Sequence, residues 1–385
     1  MMQIRTTVIR AVALGLALAS SSCAQQSESA DGPVYPRSHE DVGNPEELGL
    51  VRFVRDYDEG LARAKAEGKP VFLQFQEIPG CMTCTNYAQN VLSHPLLVEA
   101  AETLFVPVAL RNNSSGDRDD EVRKQMEEPA WNNPVLRLVN AEGEDLLPRL
   151  DRTWTVGGIA TGMVRALEEA EQTVPSYLRL LAEEEAARDR GLKRAVFAMH
   201  CFWVGEVEFA GVPGVYETHA AWHDGKEVVE VYYDPEQVSY AQLVDQAQSR
   251  ECASTVYWMD ASEREIAEAK VEGRAREFSG DPRADRDPKH HIRRTQLRHV
   301  PMAPLQAARV NRGLARRENV RALLSPRQLE VLSTVTANEK HDWPDVADQP
   351  FRAALQEMAR GMAALKQQAA EGEGDQGDAA DRERR

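Results

Sequence analysis

Three cysteines lie in sequence contexts where a thiol can act as a nucleophile. Cys201 is followed directly by Phe202 and Trp203, so a sulfur nucleophile and an aromatic wall are joined within three residues. Such a wall suits a small apolar sulfur compound better than it suits a peptide bond or a sugar. Cys81 and Cys84 form a second thiol motif, of the type Cys-x-x-Cys. Two such motifs in one chain predict sulfur redox chemistry.

The Cys-x-x-Cys motif stands between a predicted strand and a predicted helix. Residues 71–75 form a compact apolar strand before it, and an amphipathic stretch over 87–101 follows it. A first thiol at a helix N-terminus is stabilised as the thiolate by free N–H groups, and a second thiol one turn later can close a disulfide. We therefore predict that Cys81 is the more reactive thiol and Cys84 its partner. A structural disulfide and half of a metal site are the alternatives.

The elements around this motif come in the order helix, strand, Cys-x-x-Cys, helix, strand, proline, strand. This segment, residues 50–185, resembles the thioredoxin superfamily. It resembles more closely a bacterial thioredoxin-like group, selenoproteins included, with a Pro-Gly-Cys-x-x-Cys motif. The resemblance implies that Cys81 occupies the reactive position. It also implies that Pro134, at the start of a predicted strand over 134–139, is the cis-proline that faces the disulfide.

Four segments of the second half match, in the same order, the A-type peptide methionine sulfoxide reductases. They are Cys201-Phe202-Trp203, V-P-G-V at 212–215, E-V-V-E-V-Y-Y-D-P at 227–235 and Ser239-Tyr240. The resemblance covers residues 193–250. It implies that Cys201 is the nucleophile, that Phe202 and Trp203 form the pocket for the substrate methyl group, and that Glu227 is the acid.

The residue types are consistent with that chemistry. A thiolate at Cys201 attacks the sulfoxide sulfur, and the oxygen leaves only if it is protonated, so a carboxylic acid must lie beside it. Burial against Trp203 is expected to raise the pKa of Glu227 and keep it protonated. The sulfenic acid then left on Cys201 needs a resolving thiol. Cys252 is the local candidate and Cys81 the alternative.

Two departures from the reductase pattern concern the pocket. His200 stands where the family has a glycine, and the long glycine-rich loop before the glutamate strand is shortened to residues 222–226. A tyrosine that contacts the substrate oxygen is lost with that loop, and the downstream Asp-x-Gly-x-x-Tyr segment has no evident counterpart. The alternative is therefore a degenerate domain in which Phe202 and Trp203 are only core residues.

The N-terminal residues have the features of an export signal. A basic start with Arg5 precedes a short apolar run over 11–19 and small residues that end at Cys23. The small-residue run resembles a lipoprotein cleavage box with Cys23 as the acylated residue, and ordinary cleavage after Ala24 is the alternative. We therefore expect the protein in the periplasm or cell envelope, held at the membrane by a lipid anchor only.

Charge and histidine placement limit the partners. The formal net charge of −16 argues against nucleic acid. We expect instead envelope proteins that carry oxidised methionine or disulfides, and a membrane or periplasmic thiol as electron donor. No cofactor and no metal are predicted. His219 and His223 lie in a stretch that reads as strand or loop, and these two, like His290 and His291, read as surface histidines.

Six segments follow from these patterns. They are a signal peptide at 1–23, a tether at 24–44, a thioredoxin-like α/β domain at 45–188, a ferredoxin-like α+β domain resembling the reductases at 189–299, a helical extension at 300–365 and a disordered tail at 366–385. The tail is assigned from its Gly-, Asp- and Ala-rich composition.

The predicted function is that of an envelope thiol–disulfide oxidoreductase coupled to peptide methionine sulfoxide reduction. In this scheme the Cys81–Cys84 pair reduces the disulfide formed by Cys201 and Cys252. One alternative is a thioredoxin-like disulfide reductase whose degenerate second domain only binds a partner. Another is a non-enzymatic envelope lipoprotein with a structural disulfide.

Overall fold

The computed structural model describes residues 39–132, 134–249 and 253–382, with side chains as far as residue 368. The predicted signal peptide with Cys23, most of the predicted tether, Asn133 and Cys252 lie outside the described residues. None of the helices within the described ranges combines the length and the apolar character needed to cross a bilayer.

The first region is an α/β fold around a four-stranded sheet with the strand order β2-β1-β3-β4. Its elements are, in chain order, α1 (His39–Val42), α2 (Tyr57–Glu67), β1 (Val71–Gln76), α3 (Met82–Asn90), α4 (Pro95–Leu104), β2 (Val106–Arg111), α5 (Arg118–Gln125), β3 (Val135–Val139), β4 (Leu150–Asp151), α6 (Val156–Glu169) and α7 (Ser176–Arg190). Strand β1 pairs in parallel with β2 and antiparallel with β3. This is the thioredoxin-like arrangement, so the predicted fold of this region is confirmed.

Strand β1 is central and buried along its whole length, because one of its faces contributes to each of two hydrophobic cores. Phe72 packs on one side, and Leu73 and Phe75 pack on the other. A strand covered on both faces reads as a continuous apolar run, which is why the sequence predicts it well.

The predicted amphipathic stretch over 87–101 is wrong as a single element, because it divides into α3 and α4. Pro95 occupies the first turn of α4, where its missing N–H costs nothing. The pair His94-Pro95 was the sequence signal for this break.

The second region carries a six-stranded sheet with the order β10-β6-β7-β5-β8-β9. Its elements are β5 (Lys193–Met199), α8 (Phe202–Phe209), β6 (Val215–His223), β7 (Lys226–Tyr233), α9 (Tyr240–Gln248), β8 (Ala253–Trp258), α10 (Ala261–Lys270), β9 (Ala275–Glu277) and β10 (Arg283–Ala284). Strands and helices from β5 to β8 alternate as βαββαβ, with strand order β6-β7-β5-β8. This is the ferredoxin-like α+β fold that the sequence predicts.

Three features of this region differ from the sequence expectations. The charge-rich stretch 261–275 predicts a single helix, but α10 ends at Lys270, and Gly273, with φ 70°, turns the chain into β9. The shortened loop over 222–226 is a tight hairpin, because Asp224 and Gly225 adopt positive φ between β6 and β7. The short strand β10 adds an unpredicted edge beside β6.

The third region is helical, as predicted, with α11 (His290–Arg293), α12 (Pro304–Ala315), α13 (Pro326–Ala337) and α14 (Phe351–Arg382). The pair Ser325-Pro326 predicts a helix start. The structure confirms it, because Ser325 caps α13 through a capping box with Gln328. Helix α14 continues through residues 366–382, where composition predicted disorder; alanine, glutamine and glutamate in this stretch are good helix formers.

Hydrogen bonds join the third region to the first. The buried carboxylate of Glu99, in α4, accepts a hydrogen bond from Ser325 Oγ at 2.7 Å and another from the backbone N–H of Arg327 at 2.8 Å. The buried carboxylate of Glu184, in α7, accepts the backbone N–H of Leu305 at 3.0 Å. Carboxylates from the first region thus hold the N-terminal turns of α12 and α13.

Candidate active sites

Cys81 is the N-cap residue of α3, directly after the loop that follows β1. Its sulfur accepts a hydrogen bond from the backbone N–H of Cys84 at 3.2 Å. The preceding Gly80 has φ 108°, a conformation open to glycine, and its N–H donates to Glu47 Oε1 at 2.8 Å. The sequence therefore folds locally so that the first thiol of the motif takes the capping position predicted for it.

The two thiols of this motif have unequal environments. Cys84 is fully buried, whereas Cys81 is partly exposed, and both are free thiols. Burial raises the pKa of Cys84 well above its ordinary value, and a hydrogen bond with Cys81 acts in the same direction. The proton therefore stays on Cys84, and the accessible sulfur is that of Cys81.

Two large apolar side chains are exposed in this region. Met82, next to Cys81, is 74% exposed, and Trp131, in the loop before Pro134, is 70% exposed. Pro134 is buried at the start of β3, and its carbonyl accepts a hydrogen bond from Trp154 Nε1 at 3.1 Å. The peptide bond predicted to be cis joins Pro134 to Asn133, which lies outside the described residues.

Cys201 occupies the corresponding position in the second region. It is the N-cap residue of α8, is partly exposed and follows β5 after one residue. The backbone N–H of Phe202 donates to Glu227 Oε2 at 2.9 Å. Strands β5 and β7 are neighbours, with Ala198 opposite Val228, so the sheet register carries Glu227 to the start of α8. The structure thus brings Cys201 and Glu227 together.

Three aromatic rings stand beside this cysteine. Phe202 is buried, and its ring centroid lies 5.5 Å from that of Trp203 and 5.4 Å, edge to face, from that of Trp222. Trp222, on β6, was not among the predicted site residues. It lies directly opposite Glu227 in the β6–β7 ladder. The wall predicted from Phe202 and Trp203 therefore has a third member.

The segment that follows β10 contacts this aromatic wall. The Asp285 carboxylate accepts hydrogen bonds from Trp203 Nε1 at 3.3 Å and from Trp222 Nε1 at 3.2 Å. The ring of His290 stacks on that of Trp203, with centroids 3.9 Å apart and planes at 17°. Sequence reasoning missed both residues, because neither stands in a motif or in a regular apolar pattern.

The expectation of surface histidines is wrong for His223, which is buried on β6. Lys289, beside His290, is also buried. Its Nζ lies 2.8 Å from Glu206 Oε1, in α8, and 2.9 Å from Asp348 Oδ1. A buried ammonium is stable only when it is paired in this way. The ion pairs fasten the segment before α11 onto the helix that begins at Cys201. His200, by contrast, is exposed.

The described parts of the chain contain no group of three His, Cys, Asp or Glu side chains that could hold a metal ion. His219 lies on β6, as expected for a strand position, and its ring contacts Glu217 and Asp348. These two carboxylates outweigh the effect of burial and raise the pKa of His219 to about 9.

Comparisons with known proteins bear on both thiol sites. Residues 52–141 match a family model described as thioredoxin-like. A peptide methionine sulfoxide reductase of Rhodospirillum centenum is 44% identical over 14% of this chain and 32% of its own length. A second, from Rhizobium meliloti, is 43% identical over 13% of this chain and 33% of its own length. The chain thus spans about a third of the length of these two curated relatives.

Among solved structures, one described as a DsbH oxidoreductase is similar to this chain. Its sequence identity is 20% and its TM-score 0.27, over 34% of this chain and 91% of that one.

Proposed function

We propose that this protein is an oxidoreductase acting on sulfur groups, in which Cys201 reduces methionine sulfoxide in peptides and the Cys81–Cys84 pair supplies the electrons. The observation that carries the proposal is the hydrogen bond from Phe202 N–H to Glu227. It fixes a carboxyl group one residue from a partly exposed cysteine, beside a wall of aromatic rings.

In the first step the Cys201 thiolate attacks the sulfoxide sulfur. One oxygen of Glu227 is held by Phe202 N–H, and the carboxyl group delivers its proton to the substrate oxygen. The oxygen passes to Cys201, which becomes a sulfenic acid, and the sulfoxide becomes a thioether. The thiol is oxidised by two electrons and the substrate is reduced by two.

In the second step Cys252 attacks the sulfenic acid, a disulfide forms and water leaves. Cys252 lies outside the described residues. Ala253, the next residue, pairs with Met199, two positions before Cys201. This register supports Cys252 as the resolving thiol.

In the third step Cys81 attacks that disulfide and releases one thiol, and a mixed disulfide forms. Cys84 then attacks the mixed disulfide, releases the second thiol and closes the Cys81–Cys84 disulfide. The unequal burial of the pair supports these roles, because only Cys81 is exposed enough to reach a partner sulfur. An envelope thiol donor then reduces the pair. We place the protein in the envelope, anchored by lipid at Cys23; mass spectrometry of the mature N-terminus tests this, and a free terminus at Gln25 would refute the anchor.

The test of the activity is reduction of a peptide containing methionine sulfoxide, with dithiothreitol as reductant. Turnover by the wild-type protein is expected, and no turnover would overturn the proposal. The relay is tested separately with Cys84→Ser, which should accumulate a mixed disulfide from Cys81 to Cys252 or Cys201, visible as a linked peptide pair after proteolysis. Unlinked peptides alone would show that the two sites work independently.

A second candidate function is favoured by the exposed apolar side chains of the first region. Met82, which follows Cys81 in the chain, can contact a protein that carries a disulfide, and Trp131 is a second exposed apolar side chain. The first region then reduces protein disulfides, with the second region binding a partner. Reduction of a protein disulfide without any sulfoxide reduction would favour this candidate.

A further inference from the structure

We propose that Asp285 is a positioning residue of the Cys201 pocket, which orients the indole rings of Trp203 and Trp222 and thereby sets the affinity for the substrate methyl group. The inference deepens the function proposed for Cys201 and rests on it. Asp285 belongs to no motif that the sequence offers, and the mechanism above does not use it.

The first step is the shape of the contact. One carboxylate accepts from two indoles, Oδ2 from Trp203 at 3.3 Å and Oδ1 from Trp222 at 3.2 Å. Trp203 lies on α8 and Trp222 on β6, so the carboxylate joins rings from two different elements. An indole N–H can only donate, and an ionised acceptor gives the stronger hydrogen bond. Both rings are therefore turned toward one point.

The second step is that this point is itself fixed. Strand β10 ends immediately before Asp285 and pairs with β6, with Arg283 opposite Trp222. The Asp285 backbone N–H donates to Ala220 O at 3.0 Å, and its Oδ2 also accepts the N–H of Asp287 at 3.1 Å. The carboxylate is thus tied to the strand that carries Trp222.

Its protonation state fits the role. Burial alone would raise the pKa of Asp285. Hydrogen bonds from Trp222, from the backbone of Asp287 and of Arg286, and from Trp203 instead hold that pKa below its usual value. The carboxylate is therefore ionised at neutral pH and accepts from both rings.

The third step is the role of the two indole rings in substrate binding. Phe202 contacts both indoles, and Trp222 stands opposite Glu227. Because the Trp222 N–H is engaged by Asp285, this residue contributes a ring surface to the pocket rather than a donor to the substrate oxygen. Ring placement therefore affects how the thioether part of the substrate is held, while Cys201 and Glu227 carry the chemistry.

The experiment compares Asp285→Ala and Asp285→Asn with the matched control Asp245→Asn, whose exposed side chain, on α9, pairs with Lys270. Asp285→Ala should raise KM for the sulfoxide peptide about tenfold, the scale of a lost charge-assisted hydrogen bond, with kcat changed less than about threefold. Asp285→Asn, which keeps one acceptor oxygen and the same shape, should fall between it and the wild type. The control should match the wild type.

A readout that does not depend on activity accompanies the kinetics. The indole N–H resonances of Trp203 and Trp222, assigned with Trp→Phe variants, should both move in Asp285→Asn, and the other indole resonances should not. Unmoved resonances, or a fall in kcat with KM unchanged, would overturn the inference. If the wild-type protein reduces no sulfoxide, the proposed function fails; the resonances then decide separately whether Asp285 holds the rings.

Discussion

The two thiol sites hold their first cysteine in the same way but differ in the group that lies beside it. Cys81 and Cys201 are both N-cap residues of short helices that follow a strand, β1 in one case and β5 in the other. Beside Cys81 lies a second thiol, buried in the same helix. Beside Cys201 lies a carboxyl group from a neighbouring strand, Glu227. A helix N-terminus thus presents the sulfur in both, and in the proposed scheme the neighbour decides between disulfide exchange and acid-assisted attack.

The two sites also differ in how exposed their apolar side chains are. In the first region the large apolar residues Met82, next to Cys81 in the chain, and Trp131 are exposed, which suits contact with another protein. Beside Cys201, Phe202 belongs to the hydrophobic core of the second region, and the partly buried rings of Trp203 and Trp222 pack against that core. One site offers a surface and the other a pocket.

The largest expected effect separates the two nucleophiles. Cys201→Ser should abolish sulfoxide reduction with dithiothreitol, because a hydroxyl is too weak a nucleophile to replace the thiolate. Cys81→Ser should retain it, since dithiothreitol replaces the internal electron supply. The measurement is peptide turnover, and residual turnover by Cys201→Ser would remove this cysteine from the mechanism.

The next effect tests the carboxyl neighbour. Glu227→Gln can still accept the Phe202 N–H but has no proton to give, so turnover should fall roughly 10²–10⁴-fold. Glu230→Gln is the matched control, because it lies on the same strand and pairs with Arg194 away from the site. Equal rates for the two variants would assign the proton to another donor.

A third test compares how much one apolar side chain from each site contributes to the free energy of unfolding. Phe202→Ala should lower the free energy of unfolding by about 3–5 kcal/mol, the usual cost of deleting a buried aromatic side chain. Met82→Ala should change it by less than about 0.5 kcal/mol, because Met82 is exposed. Denaturant unfolding of both variants measures this, and similar losses would contradict the distinction between pocket and surface.

The smallest expected effect is a difference in alkylation between the two thiols of the first site. Only the thiolate is alkylated, and burial keeps the pKa of Cys84 far above its ordinary value, so Cys84 stays protonated throughout the range from pH 6 to about pH 9. Iodoacetamide should therefore label Cys81 before Cys84 over that whole range, as peptide mass mapping would show. Equal or reversed labelling would exchange their roles.

The sequence predicts those parts of the molecule whose signals are local. Strand β1 is a continuous apolar run, and Cys81 takes its predicted N-cap position. Serine is a common N-cap residue, and Ser239 caps α9. The pocket of Cys201 is different, since Trp222 and Asp285 come from separate segments. They meet only because β10 pairs with β6, and two-residue strands leave no periodic pattern in a sequence.

The hydrogen bonds to Glu99 have a consequence for producing the first region as a separate fragment. Glu99 and Ser325 are separated by 226 positions, so during synthesis from the N-terminus the carboxylate emerges long before its partner. Until Ser325 is synthesised, this carboxylate can be hydrated by water. A fragment that stops before α13 would leave Glu99 without the hydrogen bonds from Ser325 and Arg327, which the third region supplies in the full chain.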